Sequence, residues 1–217
     1  PGPIAECLWP SGEMGGAVMT VIGITGPTGA GKTTALHALE QLGAVVLDAD
    51  RVYHRLLAES PAMQTALVQA FGPDILDGDG AIDRKRLAGA VYPDRLEGLN
   101  QITHPLIITA VMEEVEKART EGRPAAAIDA IALVESGLAD RCDVVVSVLA
   151  PMEERIRRIM VRDGIDEEYA RRRALAQKGE DFFRSHSDYV LENTGEDSPE
   201  AFEEKALGLF REIVAKR

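Results

Sequence analysis

The residues best suited to chemistry form one short run, Gly26-Pro27-Thr28-Gly29-Ala30-Gly31-Lys32-Thr33, followed by Thr34. It satisfies G-x-x-x-x-G-K-[ST] in full. Its glycines let successive backbone N–H groups curl around phosphate oxygens with no Cβ in the way. A helix starting at Lys32 would aim its positive end at the same anion. The expected nucleotide-binding set is Gly26, Gly29, Ala30, Gly31, Lys32, Thr33 and Thr34. Lys32 is expected on the β- and γ-phosphates, and the Thr33 hydroxyl on Mg²⁺. The implied ligand is a nucleoside triphosphate, with ATP and Mg²⁺ as the expected cofactors; the run itself does not distinguish ATP from GTP.

Phosphoryl transfer also needs a carboxylate for the acceptor hydroxyl, a carboxylate near the metal, and cations over the phosphates. Asp48 and Asp50 close a short apolar run, where the crevice residues of open α/β sheets lie. If that run stays extended, both side chains share one side, and Asp50 is also a candidate N-cap for a helix from Arg51. Spacing alone does not choose between the two aspartates. Asp129 reads as mid-strand in the apolar run Ala125–Leu133. A buried carboxylate there calls for a partner, and a role behind the metal is preferred over a buried salt bridge. Arg155, Arg157, Arg158, Arg162, Arg171, Arg172 and Arg173 crowd into nineteen residues. Arg158 and Arg162 are four apart on one helix face, as a phosphate-covering lid requires, while several of the others simply line a solvated surface beside glutamates.

Composition narrows the class further. The chain has 217 residues, 45% hydrophobic and 28% charged, with a formal net charge of -12. Nucleic acid or an anionic membrane is an unexpected partner for so acidic a chain. No apolar run approaches the roughly 20 residues of a membrane span. Cys7 and Cys142 read as unpaired thiols in a reducing compartment, and the expected location is cytoplasmic. No obligate protein partner is evident. A guanine-nucleotide switch needs N-K-x-D, yet neither Asn100 nor Asn193 precedes a lysine. Its D-x-x-G match occurs only at Asp77–Gly80, within a turn-rich segment. A small-molecule kinase is the reading that remains, with a nucleoside or nucleoside-monophosphate kinase, or a nucleotide-binding regulator without catalysis, as alternatives.

The elements that would position these groups follow from hydrophobic periodicity. Strands are expected at Thr20–Thr25, Ala44–Leu47, Ala125–Ile131, Asp143–Leu149 and Asp188–Leu191. Helices are expected at Lys32–Leu42, Val52–Ala58, Pro61–Phe71, Arg84–Val91, Pro93–Ile102, Pro105–Arg119, Met152–Arg162, Asp166–Gln177 and Pro199–Lys216. Strand, phosphate loop, helix and strand make a right-handed βαβ unit and hence a parallel sheet. The expected organisation is a leader or extension at 1–18 and a three-layer α/β kinase domain at 19–217. Within that domain the core covers 19–51, 123–150 and 186–217, a helical substrate region 52–122, and an Arg-rich lid 151–185.

Taken in order, these residues resemble the dephospho-CoA kinase family from about Val21 to Gly195. The likeness comprises the loop ending AGKTT, VVLDADRVYH at 45–54, HPLI at 104–107, DAIALVE at 129–135, RIMVRDG at 158–164, RALAQ at 173–177 and DYVLENTG at 188–195. Ile131 and Ala132 stand where the family has proline and leucine, and Lys178-Gly179 replaces its Met-Pro. The resemblance implies transfer of the ATP γ-phosphoryl group to the ribose 3′-hydroxyl of dephospho-CoA, the last step of coenzyme A synthesis. It implies Asp50 as the catalytic aspartate, with Lys32, Arg158 and Arg162 beside the phosphates. His54, His104 and Glu135, with Asp50, would bind substrate; Thr33, with Asp129 behind it, would serve the metal.

Overall fold

All six residues of β1 (Thr20–Thr25) are buried, as happens when helices cover both faces of a parallel sheet. The computed structural model describes residues 19–196 and 198–216. The expected leader at 1–18, with Cys7, therefore lies outside the described residues. β1 is joined by β2 (Val45–Asp48), β3 (Ala125–Asp129), β4 (Val144–Leu149) and β5 (Tyr189–Glu192), in the order β2-β3-β1-β4-β5. The ladders β1–β3, β1–β4 and β4–β5 are parallel. Two aspartates fix where strands begin. Asp143 Oδ2 accepts the Val21 N–H at 2.8 Å, and Asp188 Oδ2 accepts the Val145 N–H at 2.8 Å.

The register sets Ile24 level with Asp129 on one side and Val146 on the other. Residues two apart share a face. Ile22, Ile24, Ala127, Val146 and Val148 accordingly join one core with α1 (Lys32–Gln41) and α9 (Pro199–Ala215). Ala35, Ala38 and Leu39 of α1 meet Phe202, Ala206 and Phe210 in that core. Small residues on α1 leave room for the two rings of α9.

The chain parts into two compact units, one of residues up to Leu47 with Val115 onward, the other Asp48–Glu114. The second is helical: α2 (Ala49–Glu59), α3 (Pro61–Phe71), α4 (Arg84–Val91) and most of α5 (Leu96–Thr120). Its own core is Leu57, Met63, Leu67, Ile75, Leu87 and Val91. Side-chain caps start three of these helices. Asp48 accepts from the Asp50 and Arg51 N–H groups, Ser60 from Met63, and Asp83 from Lys85 and Arg86.

Several expectations are corrected. The helices expected at Pro93–Ile102 and Pro105–Arg119 are one helix, α5, which runs through Pro105. Proline removes one helical hydrogen bond, and Pro105 is solvent-exposed, so water can satisfy the carbonyl left without its donor. β3 ends at Asp129 rather than continuing to Ile131, so Asp129 closes the strand instead of lying within it. The helix after β2 starts at Ala49, three residues early. Asp48 is therefore its cap and Asp50 sits in its first turn, so the two are not neighbours on an extended chain. After α6 (Met152–Asp163) and α7 (Glu167–Leu175) comes an unforeseen short helix, α8 (Glu180–Ser185), entered through Gly179. No helix of the described residues is long and apolar enough to cross a membrane.

Phe210 is fully buried at the centre of the sheet–helix core. Phe210→Ala is expected to destabilise the protein by about 3–5 kcal/mol, measured by denaturant unfolding followed by far-ultraviolet circular dichroism.

Candidate functional site

The loop that leaves β1 carries almost no side chain with which to hold its own shape, and its carbonyl oxygens are held from outside. Arg155 Nε donates to Thr28 O at 3.0 Å. Arg158 Nη1 donates to Gly29 O at 3.2 Å and to Ala30 O at 3.3 Å. Asn193 Nδ2 also donates to Ala30 O, at 3.1 Å, and Asn193 Oδ1 accepts from Arg158 Nη2 at 3.1 Å. In a trans peptide the N–H points opposite to the C=O. Holding the carbonyls of Thr28 and Ala30 on the outer side therefore turns the N–H groups of Gly29 and Gly31 to the inner side. The Ala30 N–H closes a turn onto Pro27 O at 3.2 Å. This is how a peptide loop becomes a row of donors for an anion.

Two glycines permit the closeness. Gly31 has φ 107°, and a Cβ there would stand 2.5 Å from Asn193 Nδ2. Gly29 has φ 83°, and its Cβ would meet the Arg155 carbonyl oxygen at 2.7 Å. Either substitution would strain the backbone and displace the group that pins it.

Lys32, first in α1, has its Nζ 3.5 Å from Asp129 Oδ1, with the two side chains 14% and 21% exposed. The strand register explains the meeting. Asp129 is level with Ile24 on β3, one residue short of the end of β1, so it stands beside the loop that β1 feeds. The observed relation of Asp129 is thus an ion pair with Lys32. Thr33 is exposed and Thr34 half-buried in the first turn of α1.

Of the two lid arginines expected over the phosphates, only Arg158 reaches the loop. Arg162 is held by Asp163, at 2.7 and 2.9 Å, and Asp163 also takes Arg173 at 2.6 Å. Arg162 holds the Asp163 carboxyl well below the usual range, at about 2. Glu135 lies exposed in the turn after β3. Asp50 and His54 are exposed on α2 in the helical unit. His104, expected at a helix start, is in the interior of α5, half-buried.

The residues not singled out for a role are Arg155, Gln177 and Asn193. Arg155 is only 6% exposed and, among the described residues, has no carboxylate partner. Burial lowers its pKa, yet a guanidinium stays charged in proteins. A net positive charge therefore stands directly behind the loop of a chain whose total is -12. The signal lies in the spacing: Arg155 and Arg158 are three apart and share a helix face, as Arg158 and Arg162 do four apart.

A metal would find partial provision here. Among the described residues no group of three or more His, Cys, Asp or Glu side chains is placed to hold one. Mg²⁺ bound with a nucleotide needs only one or two protein ligands, because phosphates and water supply the rest. The exposed Thr33 hydroxyl fits that need.

Comparison with known proteins now decides the class. The family model described as dephospho-CoA kinase matches residues 20–198. The chain belongs to the dephospho-CoA kinase family. A dephospho-CoA kinase of Geobacter sulfurreducens is 37% identical over 201 residues, covering 92% of this chain and 99% of that one. A Thermus thermophilus protein of known structure superposes with TM-score 0.73 at 34% identity, over 88% of this chain and 96% of that one. A dephospho-CoA kinase from Campylobacter jejuni shares the fold, with TM-score 0.68 at 24% identity over 92% and 99% of the two chains. The architecture is the phosphate-loop kinase fold.

Gly31→Ala is expected to weaken ATP binding at least about tenfold, roughly 1.4 kcal/mol, by calorimetric titration. Gly208→Ala, where a Cβ meets nothing within 4 Å, is the control and should leave affinity unchanged.

Proposed function

We propose that this member of the dephospho-CoA kinase family transfers the γ-phosphoryl group of ATP to the ribose 3′-hydroxyl of dephospho-CoA, giving coenzyme A and ADP. The observation that carries the donor half is the phosphate loop with its outward carbonyls pinned by Arg155, Arg158 and Asn193. The acceptor half rests on family membership across 20–198. A cytoplasmic location, where ATP and its acceptor meet, goes with this reading.

Bond-making is in line: the acceptor oxygen bonds to the γ-phosphorus as the bond to the β–γ bridging oxygen breaks. The N–H groups on the inner side of the loop and the N-terminus of α1 bind the phosphates. Lys32 neutralises charge that develops on the β- and γ-oxygens, leaving Asp129 when nucleotide arrives. Thr33, with Asp129 behind it, would hold Mg²⁺, which would supply neutralising charge to the phosphates. Arg158 holds the loop, and Arg162 would join the phosphates only after leaving Asp163.

Asp50 orients or deprotonates the acceptor hydroxyl. In favour of Asp50 over Asp48, Asp48 Oδ1 is engaged as a helix cap, accepting from the Asp50 and Arg51 N–H groups at 2.9 and 3.1 Å. Asp50 is exposed in the first helical turn. His54, one turn further along α2, and His104 and Glu135 are assigned to acceptor binding.

The test is ADP release with dephospho-CoA, nucleosides and nucleoside monophosphates as competing acceptors. Turnover should occur with dephospho-CoA alone; activity with a nucleoside, or with no acceptor at all, would overturn the reading. Asp50→Asn should retain ATP binding while kcat falls by about 10²–10⁴. Near-parental turnover in that variant would remove Asp50 from the role.

A further inference from the structure

Gln177 follows α7, 149 residues from Thr28 in sequence, and makes three hydrogen bonds at the loop. Its Oε1 accepts the Thr28 N–H at 2.9 Å and Arg155 Nη2 at 3.0 Å, while its Nε2 donates to Thr28 Oγ1 at 2.9 Å. The amide orientation is determined by these partners, since the reversed carboxamide would set its NH₂ against two donors. Arg155, so held, donates through Nε to Thr28 O.

These bonds govern two successive peptide planes. Gln177 fixes the Pro27–Thr28 plane directly, through the Thr28 N–H. It fixes the Thr28–Gly29 plane through Arg155, which grips the carbonyl of that plane. The N–H on the far side of the second plane belongs to Gly29, one of the donors turned to the inner side of the loop. Gly29, at φ 83°, tolerates either orientation of the peptide before it. Its own conformational preference therefore does not keep the N–H pointing inward, and the bond from Arg155 must.

We propose that Gln177 is a positioning residue for the nucleotide: through Arg155 and Thr28 it prevents the Thr28–Gly29 peptide from flipping and so keeps the Gly29 N–H available to phosphate. The inference deepens the phosphoryl-transfer reading and rests on it for the identity of the ligand. A general packing role would lower stability or disturb both substrates. A positioning role at this plane acts on ATP and leaves the acceptor alone. Methionine, of similar length, keeps none of the three hydrogen bonds of Gln177.

The experiment compares KM for ATP and for dephospho-CoA across Gln177→Met and Gln177→Asn, with calorimetric titration of ATP and MgCl₂ into acceptor-free protein. The three lost hydrogen bonds predict a rise of about tenfold in KM and in Kd for ATP in Gln177→Met, with the acceptor KM within about twofold. Gln177→Asn, which pulls the acceptor back by one methylene, should raise both by about fivefold and serves if the Met variant does not fold. An ATP affinity unchanged in the Met and Asn variants, or parallel rises in both KM values, would overturn the proposal. A parent that binds ATP but does not phosphorylate dephospho-CoA would refute the acceptor reading. The titration would still decide the role of Gln177.

Discussion

The outward pull on the carbonyl oxygens of Thr28, Gly29 and Ala30 is the constraint around which the rest of the nucleotide-binding unit is arranged. A loop of glycine and alanine has high backbone entropy and few side chains, so its shape must come from elsewhere. Here it comes from α6, from the segment after α7 and from the end of β5, each reaching a different part of the loop. Every one of these supports is more than 120 positions away in sequence. The loop can therefore form its anion-binding shape only in a folded sheet with its later helices in place. Local sequence supplies the permission, through glycine, and tertiary structure supplies the shape.

The electrostatics follow from the same arrangement. Burying a guanidinium is costly unless its donors are satisfied. Arg155 is satisfied by carbonyl and carboxamide oxygens of Thr28, Ala174 and Gln177 rather than by a carboxylate. Its hydrogen bonds are met while its charge is not cancelled. The neighbouring arginines are treated differently: Arg157 pairs with Glu154, Arg162 with Asp163, and Arg171 with both Glu153 and Glu167. An acidic protein can in this way present a positive field at one place, which attracts a polyanionic ligand there.

Much of this was legible in advance, and the boundary of what was not has a physical origin. Thr20–Thr25, Pro61–Phe71 and Arg84–Val91 were each readable to the residue, because an apolar β-branched run, a Ser-Pro start and an Asp cap act within a few positions. The loop itself was readable because its glycines are required by a local shape. Asp129 reads as mid-strand because hydropathy continues through Ala130, Ile131, Ala132 and Leu133, while pairing with β1 stops at Asp129. Pro105 reads as a boundary because proline usually ends a helix, yet α5 runs through it, and its exposed position lets water satisfy the freed carbonyl. Gln177 and Asn193 carry no periodic or charge signal; in the sequence they stand out only within the RALAQ and DYVLENTG runs of the family resemblance, while the partners that show what they do lie across the fold.

That distance separates two kinds of functional residue. Lys32 and Thr33 are tied to the loop by sequence and would be recognised in any chain carrying the same eight residues. Arg155, Arg158, Gln177 and Asn193 do their work only in this arrangement, and they explain why the motif is preorganised here rather than merely present. Arg158 shows the connection most directly. It is one residue from the exposed Arg157, yet its guanidinium bridges two loop carbonyls and the Asn193 side chain. Any movement of α6 must therefore either carry the loop with it or break those bonds. The helix that bears the arginine-rich segment and the loop that binds phosphate are in consequence one mechanical piece.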